Sequence, residues 1–259
     1  AFNQPIGGEG IGATVHHSTA GTTYWASVEF GRAFCKPAEV DCSSETPEAM
    51  DDASSHWHAV TSPVKRPFGE DDDEAIDERM IARSRASHED QEPFFVHYAD
   101  VETDTAGESV LTHSDEQVFV STPSGTGYVL TPISQDLTSE ARPPGAGFSN
   151  VTASRTVPGL YGAAGMVSAQ PFYVTTQGNT PTTWTVTQPV HPTGTNARLL
   201  GPSAIDFPPV VPAGAQPGDV FIGAFTGTVN DGTMPPDDKG RLWRPKDHGA
   251  TWESIVGSD

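Results

Sequence analysis

The segment from residue 240 to residue 255 is the feature that most constrains the fold. It reads as a short strand, a tight turn around Asp247 and Gly249, and a second strand opened by Thr251 and Trp252. The Asp247 carboxylate can accept backbone N–H groups of its own turn, and Gly249 can adopt the positive φ that the turn requires. The Trp252 ring can be buried against a neighbouring sheet. The pattern therefore predicts a β-hairpin with an aromatic residue at the start of its second strand.

Weaker copies of this pattern precede it, each with an aromatic residue at the corresponding place: Trp57, Tyr128 and Trp184. The spacing between successive aromatics leaves room for four short strands and their loops, which is the content of a propeller blade. A decayed fifth copy is possible near Tyr24. The strands expected from this repeat are 94–100, 109–112, 117–121, 128–132, 148–154, 160–168, 172–176, 183–187, 199–207, 219–225, 240–244 and 251–256.

The octapeptide ending at Trp252 resembles the Asp box, Ser-x-Asp-x-Gly-x-Thr-Trp, of sialidase-type repeat β-propellers. Asp247, Gly249, Thr251 and Trp252 match the box, and Pro245 stands where the family prefers Ser. The resemblance covers residues 199–256, with weaker similarity back to Phe94. It implies an all-β propeller of four-stranded antiparallel blades, with four to five blades in this chain or a share of a larger ring. It also implies that the box is a structural device away from the active face.

The whole chain, 1–259, is interpreted as one propeller domain with an acidic insertion at 61–93. Residues 74–88 of the insertion have apolar residues at helical spacing and acids towards the N-terminal side, which predicts a short helix. Strand-like residues from Ile11 to Phe30 predict that residues 1–30 close the ring by pairing with the last strand, 251–256.

Charge and cysteine content restrict the partners and the compartment. The net charge is −20, and such a surface repels phosphate backbones, so nucleic acid is not expected as a partner. No apolar run approaches the roughly 20 residues of a membrane span. Cys35 and Cys42 are the two cysteines, too few for a structural zinc site. We expect them to form one disulfide, and hence an extracellular or periplasmic location.

Two groups of residues could bind metal. The loop 228–238 carries Asn230, Asp231, Asp237 and Asp238, whose oxygens are hard ligands suited to calcium. A solvated acidic loop without metal is the alternative. The histidine pairs His16-His17 and His56/His58 are interpreted as surface or turn residues, with a shared metal as the alternative.

The family's fold does not fix its function, since it includes sialidases, other glycosidases, lectin-like proteins and scaffolds. The arginine-bearing Arg-Ile-Pro signature of sialidases is absent, and no tyrosine stands in a recognisable catalytic context. We therefore expect a binding or interaction module for a glycan or another protein subunit, with no catalytic residues assigned. A glycan-active hydrolase is the alternative, because two of the many carboxylates could converge in space.

Overall fold

The computed structural model describes sixteen segments of the chain, and every regular element within them is a β-strand in an antiparallel pairing. Within these segments no helix is long and apolar enough to cross a membrane. The described residues are 12–28, 31–39, 42, 57–60, 62, 96–101, 109–114, 116–135, 137, 148–165, 172–175, 184–187, 200–208, 221–225, 241–246 and 251–256.

The strands form four sheets of four strands each, and in every sheet the spatial order follows the chain. Sheet 1 contains β1 (Gly12–Ser18), β2 (Gly21–Val28), β3 (Gly31–Cys35) and β4 (His58–Ala59). Sheet 2 contains β5 (Ala99–Asp100), β6 (Val110–His113), β7 (Val118–Ser124) and β8 (Gly127–Pro132). Sheet 3 contains β9 (Phe148–Ala153), β10 (Tyr161–Gly165), β11 (Phe172–Thr175) and β12 (Thr185–Thr187). Sheet 4 contains β13 (Leu200–Asp206), β14 (Phe221–Phe225), β15 (Arg241–Lys246) and β16 (Thr251–Val256).

The four aromatic residues of the repeat occupy one place in these sheets. Trp57, Tyr128, Trp184 and Trp252 each lie within one residue of the start of the fourth strand. Trp57, Tyr128 and Trp184 are buried, as large rings that anchor a strand should be. The prediction of four four-stranded antiparallel meanders is confirmed; their radial arrangement as blades stays a prediction.

The hairpin between β7 and β8 shows how the repeat builds its turn. Gly125 has φ +61°, a conformation that favours glycine, and it allows Ser124 to pair with Gly127. Pro123 pairs with Tyr128, just as Pro245 pairs with Trp252 in sheet 4. In each sheet the proline lies on the third strand, past the end of the pairing between the second and third strands. Its missing N–H therefore removes no hydrogen bond from the described pairing of those two strands.

The N-terminal part of the chain is more regular than its sequence indicates. Residues 12–28 are not an isolated closing strand: β1 pairs with β2 along its full length, and β2 pairs with β3. The pairing of residues 1–30 with 251–256 stays a prediction. Residues 1–11 and the helix predicted at 74–88 lie outside the described residues.

The chain divides into two compact units, residues 1–147 and 148–259, each containing two sheets. In unit 1 the two sheets share a cluster of Trp25, Phe34, Val110 and Tyr128, with Tyr98 against it. In unit 2, β13 packs on β9 and β10. All of β10 (Tyr-Gly-Ala-Ala-Gly) is buried, and its small residues allow this close approach.

Candidate functional site

A buried polar cluster joins sheet 1 to sheet 2 in unit 1. It consists of Arg32 on β3, Thr112 and His113 on β6, and His97 just before β5; we call it the interface cluster. Arg32 donates from Nε to Thr112 Oγ1 over 3.2 Å and from Nη2 to the carbonyl oxygen of His113. The Thr112 hydroxyl donates in turn to the His97 carbonyl oxygen over 3.0 Å. A guanidinium in an interior is stable only with such acceptors, so these hydrogen bonds hold the two sheets in register.

The partners of His113 fix its protonation state. Its Nδ1 lies 2.8 Å from the Ser114 carbonyl oxygen, which can only accept, so Nδ1 carries a proton. Its Nε2 lies 3.1 Å from the backbone nitrogen of His97, which can only donate, so Nε2 carries none. The His97 ring nitrogen Nδ1 also lies 3.1 Å from the same Nε2. His113 is thus a neutral imidazole with a single tautomer.

The surroundings of both histidines disfavour their charged forms. Burial is the main reason that the pKa of His113 lies well below 6.5, with the charges of His97 and Arg32 acting in the same direction and the hydrogen bond to Ser114 against it. Burial also lowers the pKa of His97 from 6.5. The two imidazole rings stack with their centroids 5.3 Å apart, so a proton on one would be felt by the other.

A second titratable contact joins the first strands of the same two sheets. His16 on β1 interacts through Nδ1 with the Asp100 carboxylate at the end of β5. An aspartate that orients a histidine in this way is half of a general base. His16 is fully buried, however, whereas Asp100 is 18% exposed, so the imidazole is not accessible to a substrate in this structure. The pair thus connects sheet 1 to sheet 2. We call such a side-chain contact between the first strands of two sheets a latch.

Unit 2 has a corresponding latch made from other residues. The Thr152 hydroxyl on β9 donates to the Asp206 carboxylate at the end of β13 over 3.1 Å. Asn150, also on β9, accepts the backbone N–H of Ile205 through Oδ1 over 3.1 Å. In both units, therefore, an aspartate that ends the first strand of one sheet accepts from the first strand of the preceding sheet.

The disulfide predicted from the sequence is confirmed. Cys35 and Cys42 are bonded, with their Cα atoms 6.0 Å apart. The carbonyl oxygen of Cys42 accepts the indole N–H of Trp57 over 3.2 Å, and the four residues Ala33, Cys35, Cys42 and Trp57 form a small buried cluster. The disulfide loop thus positions the aromatic of the first sheet.

The opposite face of β1 carries an exposed apolar pair. Val15 and Tyr24 are cross-strand neighbours and are 43% and 37% exposed. They are the two large apolar side chains that the described surface exposes, and they lie next to each other. His17 projects from the same side of β1 and lies 3.0 Å through Nδ1 from the Thr22 hydroxyl.

Only some of the predicted site residues are among the described residues. Thr251 and Trp252 open β16 and pair with Lys246 and Pro245. The other two residues of the Asp box and all four proposed calcium ligands lie outside the described residues: Asp247, Gly249, Asn230, Asp231, Asp237 and Asp238. Within the described ranges no group of three or more His, Cys, Asp or Glu could hold a metal ion.

The residues of the interface cluster were not identified from the sequence, and His16 was placed wrongly. It was expected at the surface or in a turn, and it is fully buried, whereas His17 and His58 are exposed as expected. The alternation in β1 favours Val15 as the inward residue, but the face that contacts sheet 2 carries His16. The alternation of residues along a strand shows which side chains share a face, but it does not show which of the two faces is covered by another sheet.

Comparisons with known proteins identify no family. No protein-family model matches the chain, and no curated protein is significantly similar to it.

Proposed function

We propose that this protein is an extracellular β-propeller that acts as a binding module for a glycan or another protein. The observation that carries the proposal is the fourfold succession of four-stranded antiparallel meanders, each with an aromatic residue at the start of its fourth strand. Sheets of this kind, repeated along a chain, are the building blocks of propellers.

The contacts within each unit support the same reading. Consecutive sheets meet through their first strands, by His16 and Asp100 in unit 1 and by Thr152 and Asp206 in unit 2. First strands that approach one another are what a set of blades around an axis would have. The small residues of β10, all buried, suit a strand covered on both faces.

The chemistry of the surface supports a secreted binding protein. The Cys35–Cys42 disulfide is compatible with an oxidising compartment. A net charge of −20 keeps such a protein soluble and favours neutral or cationic partners over nucleic acid. The exposed pair of Val15 and Tyr24 is the described surface that best suits contact with a partner.

Small-angle X-ray scattering tests the architecture. A compact ring of 259 residues should have a radius of gyration of about 18 Å. A clearly larger value, together with a two-lobed distance distribution, would contradict a closed propeller.

A binding screen tests the function. The oxidised protein should be applied to an array of neutral and acidic glycans, with hits measured by titration calorimetry, and to fluorogenic glycosides in parallel. Reversible binding without sugar release supports a glycan-binding module. Sugar release that depends on enzyme concentration contradicts it and supports the hydrolase. Absence of both outcomes contradicts a glycan ligand and leaves the protein partner.

A further inference from the structure

We propose that the interface cluster is an acid-sensitive joint, which fastens sheet 2 to sheet 1 at neutral pH and releases it when His113 takes up a proton. This inference goes beyond the proposed function and does not depend on it. It rests on the hydrogen-bonding partners of the His113 imidazole, whose roles as donor and acceptor are fixed.

A second proton on His113 can go only to Nε2, where it displaces the hydrogen bond from the His97 backbone N–H; the His97 ring nitrogen Nδ1 lies 3.1 Å from the same atom. The Nδ1–H of His113 already points to the Ser114 carbonyl oxygen, and its Nε2 faces the backbone N–H of His97. That N–H belongs to the main chain and cannot become an acceptor. A proton on Nε2 would therefore place two N–H groups against each other in an interior that is closed to water.

The charges around His113 add to this effect. Arg32, from β3 of sheet 1, donates to the carbonyl oxygen of His113 itself, and His97 stacks on the ring from the segment before β5. A positive imidazole would repel the guanidinium that joins the sheets, because both ions would lie in one buried site. Loss of the Arg32 hydrogen bonds would weaken the contact between β3 and β6, which the apolar cluster of Phe34 and Val110 also joins.

A second titratable pair among the described residues of this interface differs in its charges. His16 on β1 lies against the Asp100 carboxylate on β5, and a protonated His16 would be attracted to it. The two contacts thus differ in charge: the first-strand latch contains a carboxylate, whereas the interface cluster contains no anion. We expect acid to open the joint on the side of β3 and β6.

The direction of the pH effect follows from the two states of the chain. In the unfolded chain a histidine titrates near 6.5, and in the folded protein the pKa of His113 lies well below that value. Above pH 6.5 both states leave His113 neutral, and the joint has its full stability. Below pH 6.5 the open state binds the proton first, so the opening constant should rise about tenfold per pH unit until the folded pKa is reached. The lowered pKa of His97 acts in the same direction.

Hydrogen–deuterium exchange at pH 7.5 and pH 5.0 tests the proposal, with rates corrected for intrinsic exchange. We expect peptides containing β3 and β6 to lose protection in acid before those containing β9 and β10 of unit 2, whose latch contains no histidine. His113→Gln removes the titrating group but keeps an amide donor and acceptor. In this variant the acid-induced rise in opening should be at least about tenfold smaller.

His17→Gln is the matched control, because His17 is an exposed histidine on β1 outside the interface cluster. It should respond to acid like the wild type. An equal acid response in His113→Gln and wild type would overturn the proposal. If His113→Gln does not fold at pH 7.5, nitrogen-15 NMR of the wild-type imidazoles decides. A His113 ring that stays neutral, protonated on Nδ1 until the joint opens, supports the proposal, and one that titrates in the folded state near 6.5 overturns it.

Discussion

Consecutive sheets are in contact in both units, but different side chains make the contact in each. In each, the first strands of consecutive sheets are joined by an aspartate at a strand end, Asp100 in unit 1 and Asp206 in unit 2. The donor is an imidazole in unit 1 and a hydroxyl in unit 2. Unit 1 adds the buried interface cluster and a disulfide, whereas unit 2 relies on small residues in β10 and close apolar contact. One arrangement of sheets is thus held by buried histidines and a disulfide in one half and, among the described residues, by a hydroxyl and small apolar residues in the other.

Two glycines at contacts between sheets, one in each unit, allow the rigidity of these contacts to be compared. A Cβ atom added to Gly12 on β1 would overlap the backbone carbonyl oxygen of Val96, which cannot move without displacing the segment. A Cβ atom added to Gly162 on β10 would lie 2.8 Å from Cδ1 of Ile205, the end of a side chain that can change rotamer. We expect Gly12→Ala to lower the free energy of unfolding by about 3 kcal/mol and Gly162→Ala by about 1 kcal/mol.

Urea denaturation of the two glycine variants measures both effects. Gly127→Ala is a suitable control, because a Cβ atom there meets nothing closer than 3.9 Å. A larger loss for Gly162→Ala than for Gly12→Ala would show that the contact in unit 2 is the more rigid one.

The disulfide should matter to unit 1 alone. The closed loop spans seven positions, and loop entropy predicts that Cys35→Ala/Cys42→Ala lowers the free energy of unfolding by about 2.5 kcal/mol. The loss of the Cys42 carbonyl position would also release the Trp57 indole. Denaturation and hydrogen exchange of the double variant check this. Reduced wild-type protein is the control and should match the variant, with the peptides of unit 2 unchanged.

Replacing the aspartate that accepts the hydrogen bond removes the latch in each unit. Asp100→Ala removes the carboxylate from a fully buried imidazole, and we expect a loss of about 2 kcal/mol at pH 7. Asp206 is exposed and accepts from the neutral Thr152 hydroxyl and from the Phe207 N–H, so Asp206→Ala should cost about 1 kcal/mol. Thermal or urea denaturation compares the two. Equal losses would show that the imidazole adds nothing to the latch.

The strands of sheets 2 to 4 were predictable because local signals agree there. The stretch 199–207 was expected as a strand and β13 is Leu200–Asp206, and 251–256 was expected and β16 is Thr251–Val256. Turn residues such as Gly125 separate runs of β-branched and aromatic residues in these sheets, which fixes where a strand can begin. The β7–β8 hairpin follows from its own residues, without help from distant parts of the chain.

The candidate site was not predictable for the opposite reason. Arg32 is far in the sequence from Thr112 and His113 and meets them only because sheet 1 packs on sheet 2, whereas His97 faces His113 along the β5–β6 pairing within sheet 2. Burial of a charged or polar side chain depends on partners that no local pattern contains. The disulfide could be predicted, because only one pairing of two cysteines exists.

The exposed pair on sheet 1 gives the smallest expected effect and tests whether this sheet face is free in solution. Tyr24 and Trp25 are adjacent on β2 and face opposite sides, one 37% exposed and the other 1%. Tyr24→Ser and Val15→Thr should each change the free energy of unfolding by no more than about 0.5 kcal/mol, as surface substitutions do. Phe34→Ser, on the buried face, is the control and should cause a far larger loss. A loss above about 2 kcal/mol for Tyr24→Ser would indicate that another layer covers this face in solution. Concentration dependence of that loss would then identify the layer as a second molecule, and independence of concentration would identify it as the same chain.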